Sequence, residues 1–388
     1  MMKLEDVCVL IADCPHSTAP DEGSGFPLIR TPNIGKGRLI LEGVHRVSEN
    51  VYHLRNKRAV PQDDDLIFAR EATAGNVAIV KNGEKVCLGQ RTVLLRPNKE
   101  MVDPDFLVYY LLAPEQQYGL LGTANGATVA HVNIPTIRSL KISLPPLTAQ
   151  RKIAAIIKSY DDLIENNQKQ IKLLEEAAQR LYKEWFVDLR FPGYENTSIV
   201  DGVPEGWSVQ CLSDFANVIM GQSPKSEFYN QEKNGLPFHQ GVGSYGTRFV
   251  IDNTYSTSYT RIAEAGSILF SVRAPVGRLN MTKNKIVIGR GLAAMNHKKG
   301  MLSYLYYLLK ERFFKDDILG NGSIFASISK DELLSQKFTI PTDALIEQFN
   351  SITSSIDKKI ANLADQVVLL TETRDRLLPK LMNGEIEV

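Results

Sequence analysis

The sequence predicts an α+β protein built by tandem duplication: a β-rich globule, a long helix, a second β-rich globule and a second long helix. Three observations carry this. Residues Pro145 to Trp185 hold one sustained heptad stripe. The stretch from Pro341 repeats it 196 positions later, with Pro145 matching Pro341, Asp161 matching Asp357 and Arg180 matching Arg376. Residues 1–144 and 207–340 are instead made of short apolar runs broken by Gly, Asn and Pro.

The first stripe has two columns. Ile157, Ile164, Ile171, Ala178 and Trp185 form one; Ile153, Tyr160, Asn167, Leu174 and Leu181 form the other. The remaining surface is mostly Lys, Glu, Gln, Arg and Asn, so the stripe needs a partner helix to stay dry. The second stretch supplies Phe349, Ile356, Leu363, Leu370 and Leu377 in one column, and Thr353, Ile360, Val367, Arg374 and Leu381 in the other. A shift of one residue destroys both columns together. The two helices are therefore expected to pair with each other rather than to lie separately on their own globules. Asn167 either fixes the register from inside the seam, at some cost in stability, or faces a partner or water. Pro379 is expected to kink or end regular helix.

In chain order, DLIFAR (65–70), NVAIV (76–80), KVCLG (85–89) and TVLLRP (92–97) read as strands, and DFLVYYLL (105–112) as helix. A segment with His131 and Asn133 leads into KISLPP, and the first spacer helix occupies 145–187. Residues 188–206 hold Pro, Gly, Asn, Ser and Asp without periodicity and read as a linker. The second globule spans 207–340, and the second spacer helix with its tail spans 341–388, with Asn383-Gly384 as a stop. The globules echo each other. Phe68 to Ala72 with Gly75 parallels Phe270 to Ala274 with Gly277, and Lys85 to Gly89 parallels Lys285 to Gly289. Val108 to Leu112 parallels Leu305 to Leu309, and Asn125-Gly126 parallels Asn321-Gly322. The loops at 13–37 and 218–246 share little beyond layout, as two readers of different targets would.

Composition bounds the partners. The chain of 388 residues is 43% apolar and 23% charged with a net charge of +1, so any nucleic-acid contact must come from local basic patches. Four cysteines without CxxC or metal-ligand spacing point to a reducing cytoplasm. The N-terminus lacks the pattern of a signal peptide, and no apolar run is long enough to span a membrane.

Gly241-Val-Gly-Ser-Tyr-Gly246 matches GxGxxG, but TRFVIDNTYSTSYT after it is poor helix, so a Gly-rich binding loop is expected rather than a dinucleotide site. GxxxxGK, the Asn/Asp-Pro-Pro-aromatic motif of adenine methylation, metal-ligand clusters and nucleophile elbows are absent from the sequence. The loops do carry DNA-reading chemistry: Arg pairs with guanine, Asn or Gln with adenine, and Ser, Thr or Lys holds phosphates. The first globule offers His16, Ser17, Thr18, Arg30, Thr31, Asn33, Lys36, Arg70, Asn76, Gln90 and Arg91. The second offers Gln222, Ser223, Lys225, Gln240, Ser244, Tyr245, Arg273, Arg278 and Arg290. His239 sits in a similar loop and is a further possible donor.

This arrangement resembles the specificity subunit of Type I restriction–modification systems over nearly the whole chain. The resemblance rests on ISLPPLTAQRKIAAII, on WFVDLRFPG with DGVPEGW (185–207) and on GQSP (221–224). It rests also on ILFSVRAPVGRLN (268–280), IGRGLAA (288–294) and RDRLLPKLMNGEI (374–386). It implies two target-recognition domains, each reading half of a split sequence in double-stranded DNA, and helices paired antiparallel as a spacer. It further implies two adenine-methyltransferase subunits binding S-adenosylmethionine, two ATP- and Mg-dependent restriction/translocase subunits, and no catalytic role or cofactor in this chain. The first globule opens within a few residues of Met1, so no sizeable helix is expected before it, a departure from the family's pattern. A spacer of roughly 38 residues at ~1.5 Å each is about 57 Å long, on the order of 17 base pairs at ~3.4 Å each. The competing readings are a coiled-coil protein–protein scaffold without DNA specificity and a self-contained restriction or methylation enzyme; the missing motifs argue against the latter.

Overall fold

The computed structural model describes residues 2–81, 83–122, 131–313 and 327–388. The chain falls into two compact units, Met1–Asn167 with Asp365–Val388, and Gln168–Ala364. Each unit takes one globule together with part of both long helices. The paired Asn125-Gly126 and Asn321-Gly322 lie outside the described residues.

In the first unit a five-stranded sheet runs in the order Cys8–Asp13, Thr92–Pro97, Leu66–Ala69, Val77–Ile79, Gly37–Arg38, with only the last pair parallel. A three-stranded sheet places Phe26–Ile29 between Arg46–Val47 and Cys87–Leu88. Leu66–Ala69 is apolar without alternation because both its faces are covered. Leu66 and Phe68 face a core with Val93, Leu95 and Phe106, while Ile67 and Ala69 face another with Ala78, Val80 and Leu94. Pro104–Leu112 is the expected helix, started by Asp103, whose carboxylate accepts from the Phe106 N–H.

The second unit repeats the plan. Ala216–Met220, Leu292–His297, Ile268–Ser271 and Leu279–Met281 form an antiparallel sheet in that order. Leu236–His239 lies parallel to Ile286–Ile288. The register repeats as well: Leu28 opposes Cys87 as Phe238 opposes Val287, and the Gly75 N–H reaches the Ala69 carbonyl as that of Gly277 reaches Ser271, both at 3.0 Å.

One echo slips by a residue. Matching Val108–Leu112 to Leu305–Leu309 pairs Tyr109 with Tyr306. The Tyr109 hydroxyl, however, donates to Asp161 at 2.8 Å, and it is the Tyr307 hydroxyl that donates to Asp357 at 2.9 Å. A run of Tyr and Leu reads alike in either alignment; the hydrogen bond to the spacer helix decides which tyrosine is equivalent.

The long helices are Leu147–Phe186 and Asp343–Met382. In the first unit Ile153, Ala154 and Ile157 share a core with Leu377, Leu378 and Leu381, Arg374 meets Asp161 at 2.7 Å, and the Asn167 amide donates to Gln366 at 3.0 Å. In the second, Ile171 packs with Ile360 and Leu363 beside Leu174 and Ile356, and the Trp185 ring meets Phe349 edge-on at 5.8 Å. Residue numbers rise on one helix as they fall on the other, so the pairing is antiparallel in both units. Ile164 and Thr353 are buried in the seam, while Tyr160, Leu181, Val367 and Leu370 are half-buried. Of the two possibilities for Asn167, it is the cross-seam pair that forms.

Two local expectations are corrected. Helix continues through Pro379 to Met382. The proline falls in the last turn, where the N–H it lacks would have served the carbonyl of exposed Asp375. The 188–206 segment carries a turn at Tyr194–Asn196 and a hairpin of Ile199–Val200 with Val203–Pro204. Asp201 and Gly202, both at positive φ, make its tight turn, and Phe191 anchors the segment against Trp207 at 5.3 Å. Among the described residues no helix is long and apolar enough to cross a membrane.

Candidate nucleic-acid interface

Strand order brings four carboxyl ends together in the first unit. Asp13 and Ala69 both end beside the start of Thr92–Pro97, and Ile29 ends beside Leu88, which leads through Gly89-Gln90-Arg91 into Thr92. The loops that follow converge on one surface. It holds a depression of about 320 Å³ lined by Thr18, Arg30, Thr31, Gln90 and Arg91 among others, and one of about 300 Å³ lined by His16, Arg70, Glu71, Gln90, Arg91 and His131. Gly89 is required there, because a Cβ would lie 2.6 Å from the Ile29 carbonyl oxygen.

The surface is held from below. The buried guanidinium of Arg55 donates to the carbonyls of Leu88 (2.7 Å), Ser17 (3.0 Å) and Pro15 (3.3 Å), and Gln90 donates to the His16 carbonyl at 2.6 Å. Four of the titratable groups on it, Arg70, Arg91, His16 and His131, are already paired. Arg70 reaches Asp13 (3.2 Å), Arg91 reaches Glu71 (2.8 Å), and His16 and His131 stand 3.0 and 2.7 Å from Asp13 and Glu71. Such pairing pre-orients the arginines.

The second unit builds its surface at the equivalent strand ends, after Met220, His239, Ser271 and Ile288. The Ser223 hydroxyl donates to Gln240 at 2.7 Å and accepts the Arg290 N–H at 3.2 Å. The Thr260 hydroxyl donates to the Gln222 carbonyl. Gln222, Ser223, Gln240 and Arg290 are thus brought together, and Arg290 stands where Gln90 stands in the first unit. Arg273 and Arg278 are exposed on the turn after Ser271, and Lys225 is exposed beside Glu227 at 3.9 Å.

Four candidates turn inward, and a fifth, Thr31, is buried although it lines the first depression. Asn33 accepts from the Arg30 N–H and donates to the Ile40 carbonyl, both at 3.2 Å, and Asn76 donates to the Ile34 carbonyl at 2.9 Å. Both brace the 30–40 turn. Ser244 lies 2.8 Å from Nδ1 of buried His239, whose Nε2 lies 2.9 Å from Asp252. That network also withdraws His239 from any contact outside the fold. The Tyr245 hydroxyl is buried, and burial pushes its pKa up. Thr31 is buried and contributes its carbonyl, which accepts from Thr73 at 2.9 Å. Ser17, Thr18 and Lys36 remain exposed. Arg55 was not singled out in the sequence; its signal was phase, three residues after buried Tyr52 on Glu49–Arg55. The GxGxxG stretch forms one short turn, Val242–Ser244, with extended chain after it. Among the described residues no three His, Cys, Asp or Glu are placed to hold a metal ion.

The family model for the Type I restriction modification DNA specificity domain matches twice, over residues 1–176 and 204–376. The putative type I restriction enzyme MjaX specificity subunit of Methanocaldococcus jannaschii is 29% identical over 408 residues, covering 100% of this chain and 93% of its own. The HindI specificity subunit of Haemophilus influenzae is 24% identical, covering 85% of this chain and 88% of its own. The crystal structure of the Type I restriction–modification S subunit from M. genitalium shares the fold at a TM-score of 0.61 and 17% identity, covering 98% of this chain and 95% of that one. The chain belongs to the Type I restriction modification DNA specificity family, the non-catalytic subunit that supplies those systems with sequence recognition.

Proposed function

We propose that each unit reads one half of a bipartite site in duplex DNA and that the length of the paired helices sets the gap between the halves. The supporting observation is the recurrence of one strand-end surface in both units with different side chains on it. Arg30, Arg70, Gln90 and Arg91 populate the first, and Gln222, Gln240, Arg273 and Arg290 the second. Arg and Gln in these places suit bidentate contacts to guanine and adenine in the major groove. A net charge of +1 leaves affinity to such local groups rather than to bulk attraction.

The partners in this reading are two adenine-methyltransferase subunits, which bring S-adenosylmethionine, and two restriction/translocase subunits, which bring ATP and Mg, all in the cytoplasm. Paired docking is favoured by an exposed leucine at matching places in the two repeats. Leu173 is 64% exposed and Leu369, 196 positions on, is 62% exposed. Methylome sequencing of a host carrying this chain and its methyltransferase tests the reading: modified adenines should fall in a two-part motif with a fixed gap. The competing scaffold without DNA specificity predicts no motif that depends on this chain, and no salt-sensitive shift of duplex DNA by the complex.

A further inference from the structure

We propose that Arg248 sets the angle at which the second reader is mounted on the paired helices, and so enforces the gap the complex accepts. The inference rests on the bipartite reading above. The Arg248 side chain is 1% exposed. Its guanidinium carbon sits 3.4 Å from the centroid of the Tyr306 ring and 5.5 Å from that of Tyr307. One amino group lies 2.7 Å from Asp357 on the last helix, and the other 3.6 Å from Glu175 on the first long helix. A single side chain of the globule is therefore held by both helices and by the globule's own tyrosine. A planar guanidinium stacked on one face, hydrogen-bonded to Asp357 at one edge and ion-paired with Glu175 at the other, tolerates less rotation than a lysine ammonium.

Among the described residues the first unit lacks this clamp. The matching turns begin at Gly35 and Gly246, where a Cβ would lie 2.7 and 2.5 Å from the carbonyl oxygens of Arg38 and Phe249, so Gly37 takes the place of Arg248. Asp161 draws its cation instead from Arg374, a residue of the last helix itself, at 2.7 Å. The globule contributes the Tyr109 hydroxyl, and Arg38 binds Asp162 and Glu165 at the surface. Exposed pairs of that kind hold orientation weakly, so the discipline falls to the second unit. A turn of about 10° over roughly 20 Å, the scale of such a domain, moves the reading loops by about 3.4 Å, one base pair.

The test is methylation by the complex of this chain with its methyltransferase, on a duplex library that varies the gap between fixed half-sites. Wild type should methylate one gap at least about tenfold better than its neighbours by one base pair, a difference of about 1.4 kcal/mol. Arg248→Lys should bring the neighbouring gaps to within about threefold while leaving both half-site sequences unchanged, since only the mount is altered. Arg248→Met with Asp357→Asn and Glu175→Gln, which leaves neither carboxylate without its cation, should loosen the gap likewise and carries the test if the lysine variant fails to fold. Arg38→Ala should keep the wild-type profile. Variants that melt near wild type and retain its single sharp gap would overturn the role of Arg248. Wild-type methylation that does not require both half-sites would overturn the bipartite reading, and the mount with it.

Discussion

Asn167 of the first long helix and Gln366 of the last meet amide to amide at 3.0 Å. Asn167 is 6% exposed, in a column otherwise made of Ile153, Tyr160, Leu174 and Leu181. A polar residue there selects the register that gives it a partner and lowers stability relative to an apolar one. Asn167→Leu should therefore raise stability by about 1 kcal/mol in urea titration, since exposed Gln366 returns to water. A loss of stability would mean that the amide pair holds the seam energetically.

Asp161 depends on the opposite helix. It is 8% exposed, accepts from the Tyr109 hydroxyl at 2.8 Å and pairs with Arg374 at 2.7 Å. Arg374→Leu leaves a buried carboxylate short of its cation and should cost about 3 kcal/mol. Adding Asp161→Asn should recover most of that loss, a non-additivity that a double-mutant cycle in urea reads directly.

The division between outward and inward polar side chains gives a third prediction. Arg91→Ala should weaken recognition of the first half-site by about 1–3 kcal/mol in gel shifts of the complex and leave the melting temperature unchanged. Asn76→Ala should do the reverse, lowering stability by about 1 kcal/mol without altering the motif, because its amide serves the Ile34 carbonyl.

That division was not legible in the sequence. The spacer helices were, because a period of 3.5 repeated at a fixed offset is a geometric statement that holds without knowledge of the partner. The strands were legible because runs such as DLIFAR are covered on both faces and stay apolar throughout. Asn33, Asn76, Ser244 and Tyr245 are polar loop residues like Gln90 and Gln240, yet Asn33 and Asn76 are spent on the carbonyls of the 30–40 turn, Ser244 on buried His239, and burial has closed over Tyr245. Residue type states what a side chain can bond, and only the tertiary fold states with what. The same blindness hid Arg55 and Arg248, two buried arginines whose roles come from three carbonyls in one case and two helices in the other.

The cysteines allow a check on the first core. Burial pushes the Cys8 thiol up to about 12 and the Cys87 thiol up to about 11. Little thiolate exists at pH 8, so iodoacetamide should leave both unmodified in the native protein and label both after unfolding, as mass spectrometry would show. Rapid labelling of Cys87 in the native state would contradict the placement of Cys87–Leu88 beside Phe26–Ile29.

The helix pair as a ruler is tested most directly by shortening both helices together. Deleting Ile164–Gln170 and Leu363–Leu369 removes one heptad from each, about 10 Å of rise, or roughly three base pairs. Methylome sequencing with the shortened chain should return both half-sites intact and a gap shorter by about three base pairs. Intact half-sites at the original gap would contradict the account.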